Sequence, residues 1–422
     1  MLAAVRTSTF NRACSLIVLA WFLLVGAAVM WWRPSPMDFP QFYMGGVVAQ
    51  QGAWSDLYPT PREESWKNPG EPGASTASPG YDRLLDARDI GERFRFIQLP
   101  PNAVAFWPMA YLSWPKALVL WTAVMGVFGW MTLRQSANLL QSLLGHQTRL
   151  AGVMMLAAAF SPMMIRSVRA GQVSCFVGWA IAVVVTSLAL RKNEAIAGIA
   201  SAAGFIAKYA TVFLLPLAII LHRWRLIAMT LIAGSLMILA TLPLTGAAPY
   251  QAWLERVAPY LGRSHDWDGN QSLQGFLIRA LDERPLAASI EVGVRVVRWG
   301  ALLGVLAVIW LRRRTIRGSA EQIAIAAAGL LAWMAIFSPI FWYHYAPYML
   351  ITFGWLWLLI ARGGLMRWGA VAVLALYFWP ICAEPSLAAP EPLNSLMLWA
   401  NLLLLLMAMI ALCKPRPNPD QP

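Results

Sequence analysis

Charge is scarce in this chain. Asp, Glu, Lys and Arg make up 13% of its 422 residues, while 59% are hydrophobic, and a soluble domain carries about twice that share of charge. The scarcity excludes a water-soluble enzyme and leaves a chain that crosses a membrane repeatedly. Acidic residues are rarer than basic ones, 20 against 33, for a formal net charge of +13. Such an excess can mark a nucleic-acid binder, but these Lys and Arg are scattered between apolar runs rather than gathered on one soluble stretch. Positive-inside bias accounts for them, and no nucleic-acid partner is expected. Cysteine is also sparse. Cys14, Cys175, Cys382 and Cys413 lie in or beside apolar segments with neither metal-type spacing nor a pairing pattern, which argues against zinc or disulfide chemistry.

Apolar runs are plentiful. The first, Ala13 to Trp32, is long enough at helical rise to cross a hydrocarbon core of about 30 Å. Arg6 and Arg12 precede it as they would precede a signal peptide, but the run is too long for a typical signal core and ends in WWRP rather than at small residues. It is expected to be retained, with the N-terminus cytoplasmic. Further runs at 115–133, 150–166, 173–190, 226–244, 293–311, 321–337, 346–361, 369–382 and 394–412 give about ten crossings in an all-α, polytopic fold. This register puts Arg134, Arg149, Arg191, Lys192, Arg223, Arg225, Arg312 to Arg314, Arg362, Arg367, Lys414 and Arg416 on the cytoplasmic side, with a short tail at 413–422.

The stretch Ile196 to Leu221 threatens that register. It is apolar except for Lys208 and Tyr209 near its middle, and both flanks, RKNE and HRWR, are basic. A single tilted helix with a snorkelling Lys208 would put one basic flank outside. Two re-entrant half-helices meeting near Lys208, each about 18 Å long, keep both flanks inside and aim the lysine at a cavity. The broken pair is the expectation.

Two long segments then fall on the outer face of a single membrane domain spanning 1–422: 33–114 and 245–292. The first begins with Asp38 and an expected amphipathic interfacial helix, PQFYMGGVVAQQGAW. It continues through a Gly-, Pro- and Ser-rich loop, Asn68 to Gly80, and ends in LPPNAVAFWPMAYLSWP, where the prolines bracket a short helix.

The polar residues on this face are the candidates for chemistry. Asp38 can serve as an N-cap, with Pro40 in the first turn of the next helix, or as a general base. The two roles diverge for Asp38→Asn, which caps equally well but accepts no proton. His344 lies among Trp342, Tyr343, Tyr345 and Tyr348, either as part of an aromatic belt or as a phosphate ligand at headgroup depth. The loop HDWDGNQSLQGF offers His265, Trp267, Asn270 and Gln271 for a sugar, although DGN is also a turn signal. At the short connection SVRAGQ, Ser167 to Gln172, Arg169 and the preceding Arg166 stand outside against the usual bias, beside Gln172. Anionic headgroups or an anionic lipid-linked ligand would account for them.

Taken in order, these pieces resemble glycosyltransferase family 87 of the C-type superfamily. The resemblance rests on Asp38 with Phe42, Tyr43 and Gly45, then Leu57-Tyr58, Pro100-Pro101, Gly171-Gln172, Lys208-Tyr209, Asn270 to Ser272, and Ser338-Pro339 followed by Trp342, His344 and Tyr345. It implies a C-type (GT-C) fold and inverting transfer from a polyprenyl-phosphate-linked sugar, usually mannose, with the first outer segment supplying the base. The Asn68 to Gly80 insert departs from the pattern and leaves the acceptor, a lipid or a glycan, undefined.

On this reading Asp38 is the base, His344, Lys208 and Arg169 hold the leaving phosphate, and Gln172, Asn270, Gln271, Trp267, His265 and Tyr43 contact sugar or acceptor. No cofactor or metal is expected, because cationic side chains can hold a leaving monophosphate; Asp266 and Asp268 are the residues that could bind a divalent ion instead. The site would face outward across the cytoplasmic membrane. The alternatives are a flippase or transporter of lipid-linked sugars, for which broken helices are also suited, and an envelope polysaccharide polymerase or ligase using pyrophosphate-linked donors.

Overall fold

The computed structural model describes residues 2–32, 38–58, 79–88, 90, 96–146, 148–261, 269–282, 286–379 and 393–414. Among these the regular elements are helices, and the extended backbone pairs only at one antiparallel bridge, Asn270 with Trp342. Among the described residues eight helices are long and apolar enough to cross a membrane: Arg6–Val25, Trp114–Leu144, Glu194–Ile220, Trp224–Thr245, Ala288–Leu311, Ala320–Phe337, Tyr343–Arg362 and Leu393–Cys413. Leu150–Ala159 and Pro162–Arg169 form a further span bent by 53°. Pro162 cannot continue the preceding helix, and Ser161 restarts it by accepting from the Met164 amide at 3.4 Å. Ser174–Leu190 and Met366–Phe378 are apolar but shorter. The protein is an all-α polytopic membrane protein.

By length and composition Glu194–Ile220 counts as one span, yet its ends meet. As one straight α-helix, Glu194 and Arg223 would stand about 43 Å apart; their side chains form an ion pair at 3.1 Å. The chain folds back where Lys208 adopts an extended backbone (φ −171°, ψ 104°), after which Tyr209–Leu214 winds as a 3-10 helix and Leu215–Ile220 returns. The two arms lie together: Thr211 Oγ1 donates to the Ser201 carbonyl at 2.8 Å, and a side chain at Gly204 would strike Thr211 and Ala180. The break leaves helix-terminal carbonyls without partners, and Asn102 Nδ2 supplies one to Ile206 O at 2.7 Å. The expected half-helix pair is therefore present. Among the described residues, the bent pair and the two shorter apolar helices are further candidates toward the roughly ten crossings expected.

The helix after Asp38, Phe39–Gln51, corrects an expectation. Its residues from Phe39 to Ala49 are all buried, so it is not an amphipathic interfacial helix. Gly45 and Gly46 explain why. A Cβ on Gly45 would lie 2.5 Å from the Phe96 ring, and one on Gly46 would collide with the Phe106 carbonyl. Their bareness lets Phe96 and the Pro100–Phe106 helix close over it. Phe39 stacks on Trp114 and Trp121, at 5.3 and 5.8 Å between ring centroids. The short helix expected between Leu99 and Pro115 is present as Pro100–Phe106, extended by a 3-10 turn over Trp107–Tyr111.

The two ends of the bundle differ. At one, Asn11 Nδ2 donates to Thr148 O at 3.0 Å, Arg223 pairs with Glu194, Arg317 donates to Ile220 O at 2.6 Å, and Arg362 pairs with Glu321 at 2.6 Å. At the other, the Asp38 amide donates to Ala170 O at 3.1 Å, which joins the start of the Phe39–Gln51 helix to the end of Pro162–Arg169.

Candidate active site

Asp38 stands at the N-cap position of the Phe39–Gln51 helix, but its side chain makes no capping hydrogen bond. The carboxylate turns elsewhere. Oδ1 accepts from Gln41 Nε2 at 3.2 Å, and Oδ2 lies 3.5 Å from His344 Nε2. Its side chain keeps 18% of its surface exposed, so a hydroxyl can reach it. This negative charge is held beside positive ones. Lys208, at the fold-back of the half-helix pair, interacts electrostatically with Asp38, and its ammonium sits 4.0 Å from the centre of the Tyr345 ring, a cation–π distance. Arg166 donates to Tyr343 Oη at 2.5 Å, with its guanidinium carbon 4.7 Å from the same ring. His344 feels the charges of both Lys208 and Arg166.

His344 is 5% exposed, and neither ring nitrogen has a hydrogen-bond partner among the described residues. A buried imidazole in that state is costly unless a ligand satisfies it. Its ring is fixed by neighbours, lying roughly parallel to Trp342 (19°) and edge-on to Tyr343 and Tyr345. The backbone carrying it is pinned in turn. Asn270 Nδ2 donates to Pro339 O at 3.1 Å and its Oδ1 accepts from Phe341 N at 3.0 Å, while Gln271 N donates to Phe341 O at 2.7 Å. Gly269 belongs to this clamp, because a Cβ there would lie 2.5 Å from the Tyr343 ring.

One partly exposed carboxylate, an unsatisfied imidazole and two cations on aromatic faces thus meet at the end of the bundle opposite the Glu194–Arg223 pair. Such a set can take a proton and hold an anion. The sequence model described as glycosyltransferase family 87 matches residues 96–339, more than half of the chain. The chain belongs to glycosyltransferase family 87. No curated protein matches it. The family 87 match takes in Arg166, Lys208 and Asn270, whereas Asp38 and His344 lie outside the matched residues and join the site through the fold.

Within this family 87 glycosyltransferase the expected site residues divide. Asp38, Lys208 and His344 come together. Arg169 ends its helix one residue before Ala170, whose carbonyl receives the Asp38 amide, so it lies beside the site. Gln172 is 2% exposed, with Oε1 accepting from the Val173 amide at 3.2 Å; it shapes the turn into Ser174–Leu190. Asn270 and Gln271, at 0 and 1% exposure, commit their side chains inside the protein, Gln271 bridging to Asn394 O (2.7 Å) and Met397 N (3.3 Å). Through Pro339 and Phe341 they brace the segment that carries His344. Tyr43, fully buried, donates to Leu112 O at 2.8 Å and accepts from Arg88 at 2.9 Å; it is a core residue. His265, Trp267, Asp266 and Asp268 lie outside the described residues, as does Cys382. Among the described residues no three His, Cys, Asp or Glu side chains cluster. Sequence reasoning named Arg166 beside Arg169 without giving it a role in the site, and passed over Gln41. The signal was there in each case, since Arg166 precedes Arg169 by three residues and Gln41 follows Asp38 by three, the spacing that places helix side chains on one face.

Proposed function

We propose that this family 87 protein transfers a sugar, mannose foremost, from a polyprenyl-phosphate donor to a hydroxyl of a lipid or glycan acceptor, with its site on the outer face of the cytoplasmic membrane. The observation that carries the reading is the placement of Asp38. Its carboxylate is released from capping, partly exposed, and set against His344 and Lys208.

In the proposed reaction the acceptor hydroxyl gives its proton to Asp38 while its oxygen attacks the anomeric carbon. The bond from that carbon to the phosphate oxygen breaks on the opposite face, and its electron pair leaves with polyprenyl phosphate. The configuration inverts. Lys208 and Arg166 stabilise the charge that develops on the phosphate, and His344 donates to it through Nδ1, the ring nitrogen turned from Asp38. The low-dielectric surroundings strengthen each of these contacts.

The test is donor choice. Purified protein, with extracted membrane lipids as acceptor pool, is given polyprenyl-monophosphate mannose or a polyprenyl-pyrophosphate sugar. A new hexose-bearing glycolipid from the monophosphate donor is expected. Transfer from the pyrophosphate donor alone, or donor movement across vesicles without a new glycosidic bond, would overturn the proposal in favour of a polymerase or a flippase.

A further inference from the structure

We propose that Gln41 is a positioning residue for Asp38, and that a buried relay running Tyr58, Gln98, Gln41 holds the base from the far end of the first long connecting segment. The inference rests on the reading of Asp38 as the base.

Gln41, Gln98 and Tyr58 are 4%, 3% and 1% exposed. Buried amides need their donors and acceptors paired, and the partners here form a chain that ends on the carboxylate. Tyr58 Oη donates to the backbone carbonyl of Gln98. Gln98 Nε2 donates to Gln41 Oε1 at 3.5 Å, and Gln41 Nε2 donates to Asp38 Oδ1 at 3.2 Å. Both ends of the Gln41 amide are thereby engaged, Oε1 by Gln98 and Nε2 by Asp38. The relay is braced by the next long segment: Arg256 donates to Tyr58 O at 2.8 Å and Trp253 Nε1 to Ile97 O at 3.1 Å.

The consequence is rotational. A carboxylate at the first turn of a helix would ordinarily swing onto the backbone amides of that helix. Gln41 occupies Oδ1 from i+3 and keeps Oδ2 directed at His344. Since a general base must lie within about 3 Å of the proton it takes, this restraint decides whether the carboxylate is aligned. A hydrogen bond donated to a carboxylate also favours its charged form, so Gln41 helps to keep the base ionised. Other groups acting on Asp38 are His344, Lys208, and the phenols of Tyr345 and Tyr348; Arg166 acts on His344 and Arg169 adjoins Ala170.

The experiment compares Gln41→Ala and the nearly isosteric Gln41→Glu with the unaltered protein in two measurements. Infrared titration of the purified protein follows the protonated carboxyl band assigned to Asp38 by its disappearance in Asp38→Asn. Steady-state transfer from polyprenyl-monophosphate mannose gives kcat and KM. The Asp38 midpoint is expected to rise in Gln41→Ala and further in Gln41→Glu, where a second carboxylate faces the first. With it, kcat should fall on the order of 10²-fold at little change in donor KM, as misalignment of a catalytic group does. An unmoved Asp38 band in both variants overturns the positioning role, whatever happens to activity. If the unaltered protein transfers no sugar, or Asp38→Asn stays active, the proposed function fails, and the infrared titration still decides the relay.

Discussion

At Asp38 a short side chain at a helix start gives up its usual capping bond and points at a histidine and a lysine. In a chain with so few acids, a carboxylate placed against cations on purpose-built aromatic faces is chemically informative. The cations should matter to the rate. Lys208→Met is predicted to lower kcat by roughly 10²- to 10³-fold, the usual effect of removing a group that stabilises transition-state charge. Arg166→Lys should also lose activity, because a point-charge ammonium cannot both lie over the Tyr343 ring and donate to its hydroxyl as the planar guanidinium does. Steady-state kinetics on each variant measures this, and Lys208→Met with unchanged kcat would remove Lys208 from the mechanism. Asp38, Lys208 and His344 were legible in the sequence because ionisable residues at membrane depth are rare and need a reason. For Asn270, Gln271 and Tyr43 the sequence does not show the intramolecular partners, because an amide or phenol that braces a loop is the same letter as one that meets a sugar. Only the partners, Pro339, Asn394 and Leu112, tell them apart.

Among the elements, the half-helix pair carries Lys208 to the site. Its sequence signal was electrostatic: two basic flanks that would otherwise lie on opposite sides. The structure adds the physical closure, with Gly204 admitting Thr211 and Ala180 and Arg223 reaching Glu194. The prediction is direct. In a background without other reactive cysteines, Glu194→Cys with Arg223→Cys should cross-link within one chain through a short bifunctional thiol reagent, giving a shift in gel mobility. A straight helix of about 43 Å would give none. The Phe39–Gln51 helix was expected, but its burial was not legible in the same way. Two adjacent glycines and scattered aromatics give no one-sided apolar stripe, and its burial depends on Phe96 and Phe106, which are distant in sequence. For the same reason the 53° bend at Ser161–Pro162 was passed over, although the proline marks it.

Over the whole molecule, charge and chemistry sit at opposite ends. Arg191, Arg223, Arg317 and Arg362 gather at one, and Asp38, Arg166, Lys208 and His344 at the other. If the positive end is cytoplasmic, a cysteine placed at exposed Gln251 should react with an impermeant thiol reagent on intact cells, and one at exposed Lys192 only after permeabilisation; the reverse labelling would turn the protein over. The polytopic helical architecture was readable from apolar runs alone, while the convergence of residues from Asp38 to His344 was not, since it depends on how the spans pack. That convergence makes one prediction above the others. Cells carrying the unaltered protein or Asp38→Asn are compared by mass spectrometry of their glycolipids, with both proteins present in the membrane at equal level. Asn keeps the size of Asp and an oxygen to accept from Gln41, so Asp38→Asn should fold normally and yet leave a glycolipid lacking one sugar. An unchanged glycolipid profile would contradict Asp38 as the base on which the proposed transfer depends.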